Sequence, residues 1–177
     1  MRTREVTLAS GERFSVPQGV QRLDSNSTRG WQVRYQGTKY FADGTVGPAK
    51  SLDRAIKELL RRVATMPAPV PLKTTPSPHK TSNLPVGISG PIVLTKPDAR
   101  QMAVLSVVVP RFGRPNQITE IHIGTPSTYT KARYRAALAK AIALRQESTS
   151  QYALEATRAK RKAAVDLRKS LMSKRAA

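Results

Sequence analysis

Hydrophobic and polar residues alternate most regularly in the segment from Trp31 to Gln36. Its bulky side chains stand at odd positions and its polar side chains at even ones, and a glycine–threonine pair separates it from a second run at 39–42. Because successive side chains of a strand point to opposite faces, the pattern predicts a β-hairpin with one apolar and one polar face. A further short strand is predicted upstream, at 19–23.

The periodicity lengthens after this hairpin and predicts a helix that begins at the N-cap Ser51 and ends before Pro67. Its apolar stripe, at spacings of three and four residues, consists of Leu52, Ala55, Ile56, Leu59, Leu60 and Val63. This stripe suits the apolar face of the predicted sheet. We therefore expect a three-stranded sheet that is covered on one face by a helix and open on the other.

The same order of elements recurs after the proline-rich segment 67–83, which is predicted to be a semi-stiff linker. The predicted strands of this second segment span 87–94, 101–112 and 117–125. A helix follows, with Ser127 or Thr128 as its cap, and its pattern continues to the end of the chain with a break expected at Ser148–Ser150. The recurrence indicates a degenerate tandem repeat.

The predicted fold class is α+β, with two small domains that each pack a three-stranded antiparallel sheet on one helix, plus a long basic C-terminal helix. The expected boundaries are 1–66 for the first sheet–helix domain, 67–83 for the linker, 84–147 for the second domain and 148–177 for the extension.

The charge of the chain indicates a polyanionic partner. The chain has 31 lysine and arginine residues against 11 aspartate and glutamate residues, a formal net charge of +20. Self-repulsion of this size disfavours a compact state, and nucleic acid is the polyanion that compensates it best because each neutralised phosphate releases a counterion. No apolar run reaches the roughly 18–20 residues of a membrane span. No secretory signal is recognised either, so we expect a protein of the bacterial cytoplasm or nucleoid without a membrane partner.

The residues that support catalysis do not form a recognisable constellation. The chain has no cysteine, and its two histidines are His79 in the linker and His122 near Glu120 on a predicted strand. Two candidate ligands without a third are a weak metal signal, and the acidic residues are dispersed. We expect no enzyme activity, no cofactor and no metal site.

The polar face of the first predicted sheet carries the candidate binding residues. Arginine pairs with guanine, glutamine pairs with adenine, and lysine and arginine grip phosphates, and a small sheet can enter the major groove. The candidates in this domain are Arg22, Gln32, Arg34, Gln36, Lys39 and Phe41, with Arg22 the least certain in position.

Several short motifs of the chain also resemble those of a known protein family. "GV", "GWQVRYQGTKYF" and "SLDRAIKELL" resemble, in order, the apetala/ethylene-response-factor type of DNA-binding domain. "GISG", "VPRFGR" and "IGT", followed by "ARYRAALAKAIALR", look like its bacterial and bacteriophage branch, so that the resemblance covers about 16–66 and 84–147. It implies a non-enzymatic protein whose sheets lie in the major groove of double-stranded DNA, with Gln32, Arg34, Lys39 and Phe41 toward the DNA.

Outside the first domain, the basic residues are expected to contact phosphates. The candidates are Arg100, Arg111 and Arg114 in the second domain, and Arg158, Lys160, Arg161, Lys162, Arg168 and Lys169 in the extension. Glu120 and His122 are expected on the open face of the second sheet, which suits a weaker DNA contact or a protein partner through 104–109.

Three hypotheses remain open. The first is a double-stranded DNA-binding protein, either a transcriptional regulator or an accessory or architectural protein of a bacteriophage or mobile element. The second is an RNA- or ribosome-associated protein, in which Trp31, Tyr35 or Phe41 stack on unpaired bases. The third is an assembly protein that self-associates or binds a partner through the C-terminal helix. Double-stranded DNA is favoured over RNA.

Overall fold

The computed structural model describes residues 1–25 and 27–176, with side chains through residue 173. Within this part of the chain the fold is α+β, with three small antiparallel sheets and two α-helices. The chain divides into two compact units. One contains 1–69 together with the residues from 156 onward, and the other contains 70–155, so that the predicted extension 148–177 is shared between them.

The first unit contains five strands and helix α1 (Gly47–Thr65), which is preceded by a 3-10 turn (Gly44–Val46). A two-stranded hairpin consists of β1 (Thr3–Thr7) and β2 (Arg13–Pro17). The three-stranded antiparallel sheet has the order β3 (Val20–Asp24), β4 (Arg29–Arg34) and β5 (Thr38–Ala42). The last part of helix α2 (Lys131–Ala176) completes the unit.

The apolar side chains of the central segment pack beneath α1, as predicted. Trp31, Val33 and Tyr35 are almost completely buried. The α1 stripe is confirmed too, since Leu52, Ala55, Ile56, Leu59 and Val63 are buried and Leu60 is half-buried. The indole Nε1 of Trp31 donates a hydrogen bond to the Pro48 carbonyl at 2.9 Å. Each such large side chain contributes about 1.5–3 kcal/mol through burial, so this face is the main source of the unit's stability.

Two contacts that the sequence pattern did not predict complete the core, one from the unpredicted β1–β2 hairpin and one from the C-terminal helix. The edge of the Phe14 ring on β2 contacts the Trp31 ring, with centroids 5.8 Å apart. The neighbouring Val16 is fully buried, and from α2 Ala164 is buried in the same cluster, with Leu171 packed against it. The C-terminal residues thus belong partly to a hydrophobic core and are not only a solvated basic tail.

The beginning of α1 differs from the prediction. The helix begins at Gly47, with a proline in its first turn, so Ser51 lies inside the helix and is not its N-cap. The Ser51 hydroxyl is buried and donates to the Asp43 carboxylate at 2.6 Å. Its polarity therefore serves a contact between the helix and the preceding loop, because a buried hydroxyl requires a hydrogen-bond partner.

Arg62 of α1 fastens the hairpin between β4 and β5. Its side chain is buried, and Nη1 donates to the carbonyls of Tyr35 and Gly37, each at 3.0 Å. Its Nε donates to Glu58 at 2.8 Å, and Glu58 also accepts two hydrogen bonds from Arg61. Hydrogen bonds from Arg61 and Arg62 lower the pKa of Glu58 from 4.5 to about 2. The ionised carboxylate therefore holds the arginine that holds the hairpin.

The second unit contains one sheet and the first part of α2. Its antiparallel strands are β6 (Ile88–Thr95), β7 (Gln101–Val109) and β8 (Gln117–Gly124), in that order. Ile88, Leu105, Val107 and Ile123 of the sheet are buried together with Ala137 and Ala141 of α2. The segment 67–83, all of it described, contains no helix or strand.

Helix α2 corrects two predictions. Its cap is neither Ser127 nor Thr128, because the helix begins at Lys131 and the Thr130 hydroxyl accepts from the Arg133 backbone N–H at 3.2 Å. The helix also continues without a break through Ser148–Ser150. There the hydroxyls of Ser148 and Thr149 donate to the Arg145 carbonyl, at 3.0 and 2.8 Å, so these short polar side chains are satisfied within the helix.

Over the part of the chain that the structure describes, neither helix combines the length and apolarity that a membrane crossing requires.

Replacement of Glu58 by glutamine tests the Arg62 contact. The pKa of Glu58 is lowered in the folded state, so its contribution to stability is complete above about pH 5 and is lost as the pH falls toward 2. We expect Glu58→Gln to lower the free energy of unfolding at pH 7 by about 1–3 kcal/mol, with a smaller difference from wild type at pH 3. Trp31 is the single tryptophan of the chain and is buried in this unit, so its emission reports unfolding.

Glu5→Gln is the matched control, because Glu5 is exposed on β1. Its stability is expected to follow wild type at both pH values. An equal loss for Glu58→Gln at pH 7 and pH 3 would contradict the role assigned to the ionised carboxylate.

Candidate nucleic-acid interface

The strand register defines which side chains stand on the face of the first sheet opposite α1. Residues paired across neighbouring antiparallel strands share a face, and Gln32 pairs with Gln21 on one side and with Tyr40 on the other. We call this surface the open face, and its side chains are Gln21, Leu23, Gln32, Arg34, Thr38 and Tyr40. None of them belongs to the hydrophobic core that the described residues form. The predicted positions of Gln32 and Arg34 are thus confirmed.

The same register corrects the placement of three predicted residues. Arg22 and Phe41 pair with Trp31 from opposite sides, and Lys39 pairs with Val33. All three side chains therefore stand on the face that α1 covers. The prediction set the outer strands one residue out of register, which moves every side chain of a strand to the other face.

The Arg22 side chain contacts other residues of the first unit. Its guanidinium lies 2.7 Å from the Asp43 carboxylate and over the Trp31 ring, 5.1 Å from the centroid. Its side chain is only 11% exposed. Lys39 is more exposed, lies 3.9 Å from Glu58 and stands over the Phe41 ring. Arg22 is thus engaged within the protein, whereas Lys39 remains exposed at the edge of the covered face.

Arg34 is the exposed cation of the open face. Its Nε donates to the Gln32 side-chain oxygen at 2.6 Å. Within the described residues it has no ion pair, and its two terminal nitrogens have no hydrogen-bond partner. Gln32 therefore orients the guanidinium without neutralising it, and the nitrogens that can form a bidentate contact remain available.

Tyr40 is an open-face residue that sequence reasoning missed. It is 38% exposed, and its ring lies close to Gly30 on the neighbouring strand. A Cβ atom at Gly30 would overlap the Phe41 backbone carbonyl oxygen and would lie 2.7 Å from the Tyr40 hydroxyl oxygen, so the neighbouring backbone requires glycine here and the Tyr40 ring lies over it. The correct register would have placed Tyr40 beside Gln32.

Gln36 lies outside the open face, in the loop between β4 and β5. Its side-chain amide donates to the Pro67 carbonyl at 3.1 Å, and the hydroxyl of the adjacent Tyr35 donates to the same oxygen at 3.3 Å. Burial raises the pKa of Tyr35, and the nearby positive charge of Arg161 opposes this shift. The predicted Gln36 is thus engaged with the segment after α1.

A cavity of about 620 Å³ adjoins the open face at Gln21 and Arg34. We call it the basic pocket, since Arg2, Arg4, Arg34 and Lys160 line it. Lys160 was among the predicted residues, whereas Arg2 and Arg4 were missed with the hairpin that carries them. Residues Arg158, Arg161, Lys162, Arg168 and Lys169 are exposed along α2.

The predicted residues of the second unit lie at strand ends and in a loop. Arg100 precedes β7 and donates to Asp98 at 2.6 Å. Arg111 and Arg114 lie in the exposed loop between β7 and β8, where Arg111 donates to the Pro115 carbonyl at 3.1 Å. Glu120 and His122 are exposed on the face away from Ile121, as predicted. No group of three metal-ligating side chains occurs in the described residues.

Comparison of the chain with protein-family models, curated proteins and solved structures finds no match. The functional conclusion therefore depends on the geometry of this chain's own residues. The open face and the basic pocket both combine accessible cations with defined surroundings.

The corrected position of Arg22 gives a testable difference from Arg34. We expect Arg22→Leu to lower the free energy of unfolding by about 3 kcal/mol, because Asp43 loses its buried partner. Arg34→Leu is the matched control, and its exposed site predicts a change within about 0.5 kcal/mol. Denaturation followed by Trp31 emission measures both. An unchanged stability for Arg22→Leu would show that the Asp43 contact is not structural.

Proposed function

We propose that this chain is a non-enzymatic double-stranded DNA-binding protein that places the open face of its first sheet in the major groove. The observation that carries the proposal is the Arg34–Gln32 pair. It presents an oriented, exposed guanidinium without a carboxylate partner among the described residues, on a sheet face that the core does not use.

The dimensions of the sheet agree with this role. Neighbouring strands lie about 4.8 Å apart, so the outer strands of a three-stranded sheet are about 10 Å apart. The major groove is about 12 Å wide, and β-ribbons and β-sheets are among the elements that read DNA grooves. The helix on the opposite face then remains outside the groove.

The chemistry of the open face suits base recognition. A guanidinium binds the O6 and N7 acceptors of guanine with two nitrogens, which are the two that Arg34 does not use within the described residues. The Gln32 oxygen accepts from Arg34, while its amide nitrogen remains a donor for a neighbouring base or phosphate. Thr38 and Tyr40 add hydroxyl groups beside them.

The finer architecture is part of this proposal. We infer two sheet–helix modules of the apetala/ethylene-response-factor type, of which the second reads DNA more weakly because Glu120 stands on its open face. The exposed cations of α2 contribute phosphate contacts. Two tethered weak readers raise each other's local concentration, which suits a transcriptional regulator or an architectural protein of a bacteriophage or mobile element.

Duplex DNA is favoured over single-stranded RNA by the burial of the aromatic residues that were expected to stack, while Tyr40 is the exposed ring of the open face. Recognition of unpaired bases uses exposed aromatic rings for stacking. Trp31 and Tyr35 are 0% and 4% exposed, and Phe41 stands on the face that α1 covers. Two of the three rings expected to stack on RNA are thus inaccessible.

Selection of bound sequences from a random duplex pool, followed by affinity measurement, tests the proposal. We expect Arg34→Ala to weaken binding to the selected site by about 5–150-fold, which corresponds to the loss of one bidentate base contact. The sequence preference at one position should also relax. Arg54→Ala on the exposed side of α1 removes the same charge and is expected to leave that preference intact.

Competition with single-stranded DNA and structured RNA completes the test. Duplex binding should weaken steeply as salt rises, since phosphate contacts release counterions. Preferred binding of structured RNA, or equal losses for Arg34→Ala and Arg54→Ala, would overturn the assignment of the open face to the major groove.

A further inference from the structure

The basic pocket adjoins Arg34 of the open face and adds three cations, Arg2, Arg4 and Lys160, that base recognition by Arg34 does not require. Its cations come from three separate parts of the first unit: Arg2 and Arg4 from β1 and the residue before it, Arg34 from β4, and Lys160 from α2. None of the four has an ion pair within the part of the chain that the structure describes. The four cations therefore converge on one pocket without a carboxylate among the described residues to neutralise them.

The alternation along β1 places its arginines at this pocket. Side chains at 2, 4 and 6 share one face of the strand, and Val6 on that face packs against the hydrophobic core. Val6 thus turns this face of the strand toward the body of the unit. Arg2 and Arg4, nearer the start of the strand, then reach the pocket instead of the core.

The opposite wall is held in place by hydrogen bonds at α2. The Thr157 hydroxyl accepts from the Ala68 backbone N–H at 3.0 Å, beside the lining residue Pro69. The backbone nitrogen of Met1 donates to the Ala163 carbonyl, also at 3.0 Å. Lys160 lies between these two attachment points, so its place beside β1 is determined by packing on both sides.

The charge of the pocket defines its ligand. Its lining, all within described residues, contains four cations and no aspartate or glutamate. Like charges brought together without a counterion destabilise the fold, so an anion with compact charge is the natural occupant. The volume of about 620 Å³ falls in the range of sites that hold molecules larger than a single phosphate ion. Successive phosphate groups of one strand combine both properties.

We propose that the basic pocket binds backbone phosphates of the DNA strand whose bases lie against the open face. Gln21 and Arg34 line the pocket and also belong to the open face, so the two surfaces are continuous. This inference rests on the proposed function and extends it. The open face supplies sequence preference, and the pocket supplies affinity that is independent of sequence and fixes the register of the protein on the duplex.

A double variant, Arg2→Ala with Arg4→Ala, tests the pocket in the full chain. We expect it to weaken binding to every duplex by a similar factor and to leave the selected sequence unchanged. The slope of log affinity against log salt should become shallower by about 2, at about 0.9 for each lost phosphate contact. The lysine pair Arg2→Lys with Arg4→Lys keeps the charge and should retain most of the slope.

Lys50→Ala with Arg54→Ala is the matched control, because both residues are exposed on α1 and the same net charge is removed. Thermal unfolding verifies that all variants are folded. A loss for the pocket variant no larger than that of this control, while Arg34→Ala still relaxes sequence preference, would overturn the phosphate pocket and leave the proposed function standing. No effect of either substitution would overturn both.

Inorganic tripolyphosphate separates the backbone of DNA from free phosphate chains as the occupant. We expect it to compete with duplex for the wild-type protein and to bind the Arg2/Arg4 alanine variant more weakly. Loss of tripolyphosphate binding without loss of duplex affinity would overturn the proposed DNA occupant. Equal tripolyphosphate binding by wild type and variant would overturn the pocket as a phosphate site.

Discussion

Burial of Trp31, Val33 and Tyr35 against α1 is the constraint on which the first unit depends. The apolar stripe of α1 covers them from one side of the sheet, and Phe14 and Val16 of β2 and Ala164 of α2 belong to the same cluster. The indole N–H also fixes the position of Trp31 relative to α1. A buried donor needs an acceptor, and the Pro48 carbonyl at the beginning of the helix supplies it. The side chains that β4 presents on the open face are therefore determined by the packing of the opposite face against α1. Arg34 is exposed and Gln32 half-buried on that side, because their neighbours in the strand occupy the covered face.

Alternation within one strand was enough to predict this division, but the faces of the flanking strands depend on loop geometry. The three residues 35–37 connect the paired positions Arg34 and Thr38. Gln36 adopts a positive φ of 48° there, a backbone conformation that residues other than glycine, asparagine and aspartate rarely take. The pattern did not reveal this loop length, and an error of one residue exchanged Lys39 and Phe41 for Thr38 and Tyr40.

Contacts between distant parts of the sequence account for the other features that the sequence pattern did not predict. The hairpin of β1 and β2 has few apolar residues, and its place beside Trp31 becomes evident only when the rings of Phe14 and Trp31 meet. In α2 the core contact uses small residues such as Ala164, which give a weak amphipathic signal within a strongly basic segment. The order of the six predicted strands and both helices was nevertheless recovered, because their periodicity is local. The basic pocket has no local signature, since its walls lie more than 100 residues apart in the chain.

Positions 31, 33 and 35 differ from positions 32 and 34 in what a substitution changes. A change at 31, 33 or 35 alters how well the molecule folds, whereas a change at 32 or 34 alters mainly the chemistry of the open face. Substitutions at 32 and 34 can therefore change that surface on an unchanged scaffold. Insertion of a single residue into the strand would exchange the two sets at once, and for that reason variation in length should be confined to the connecting loops.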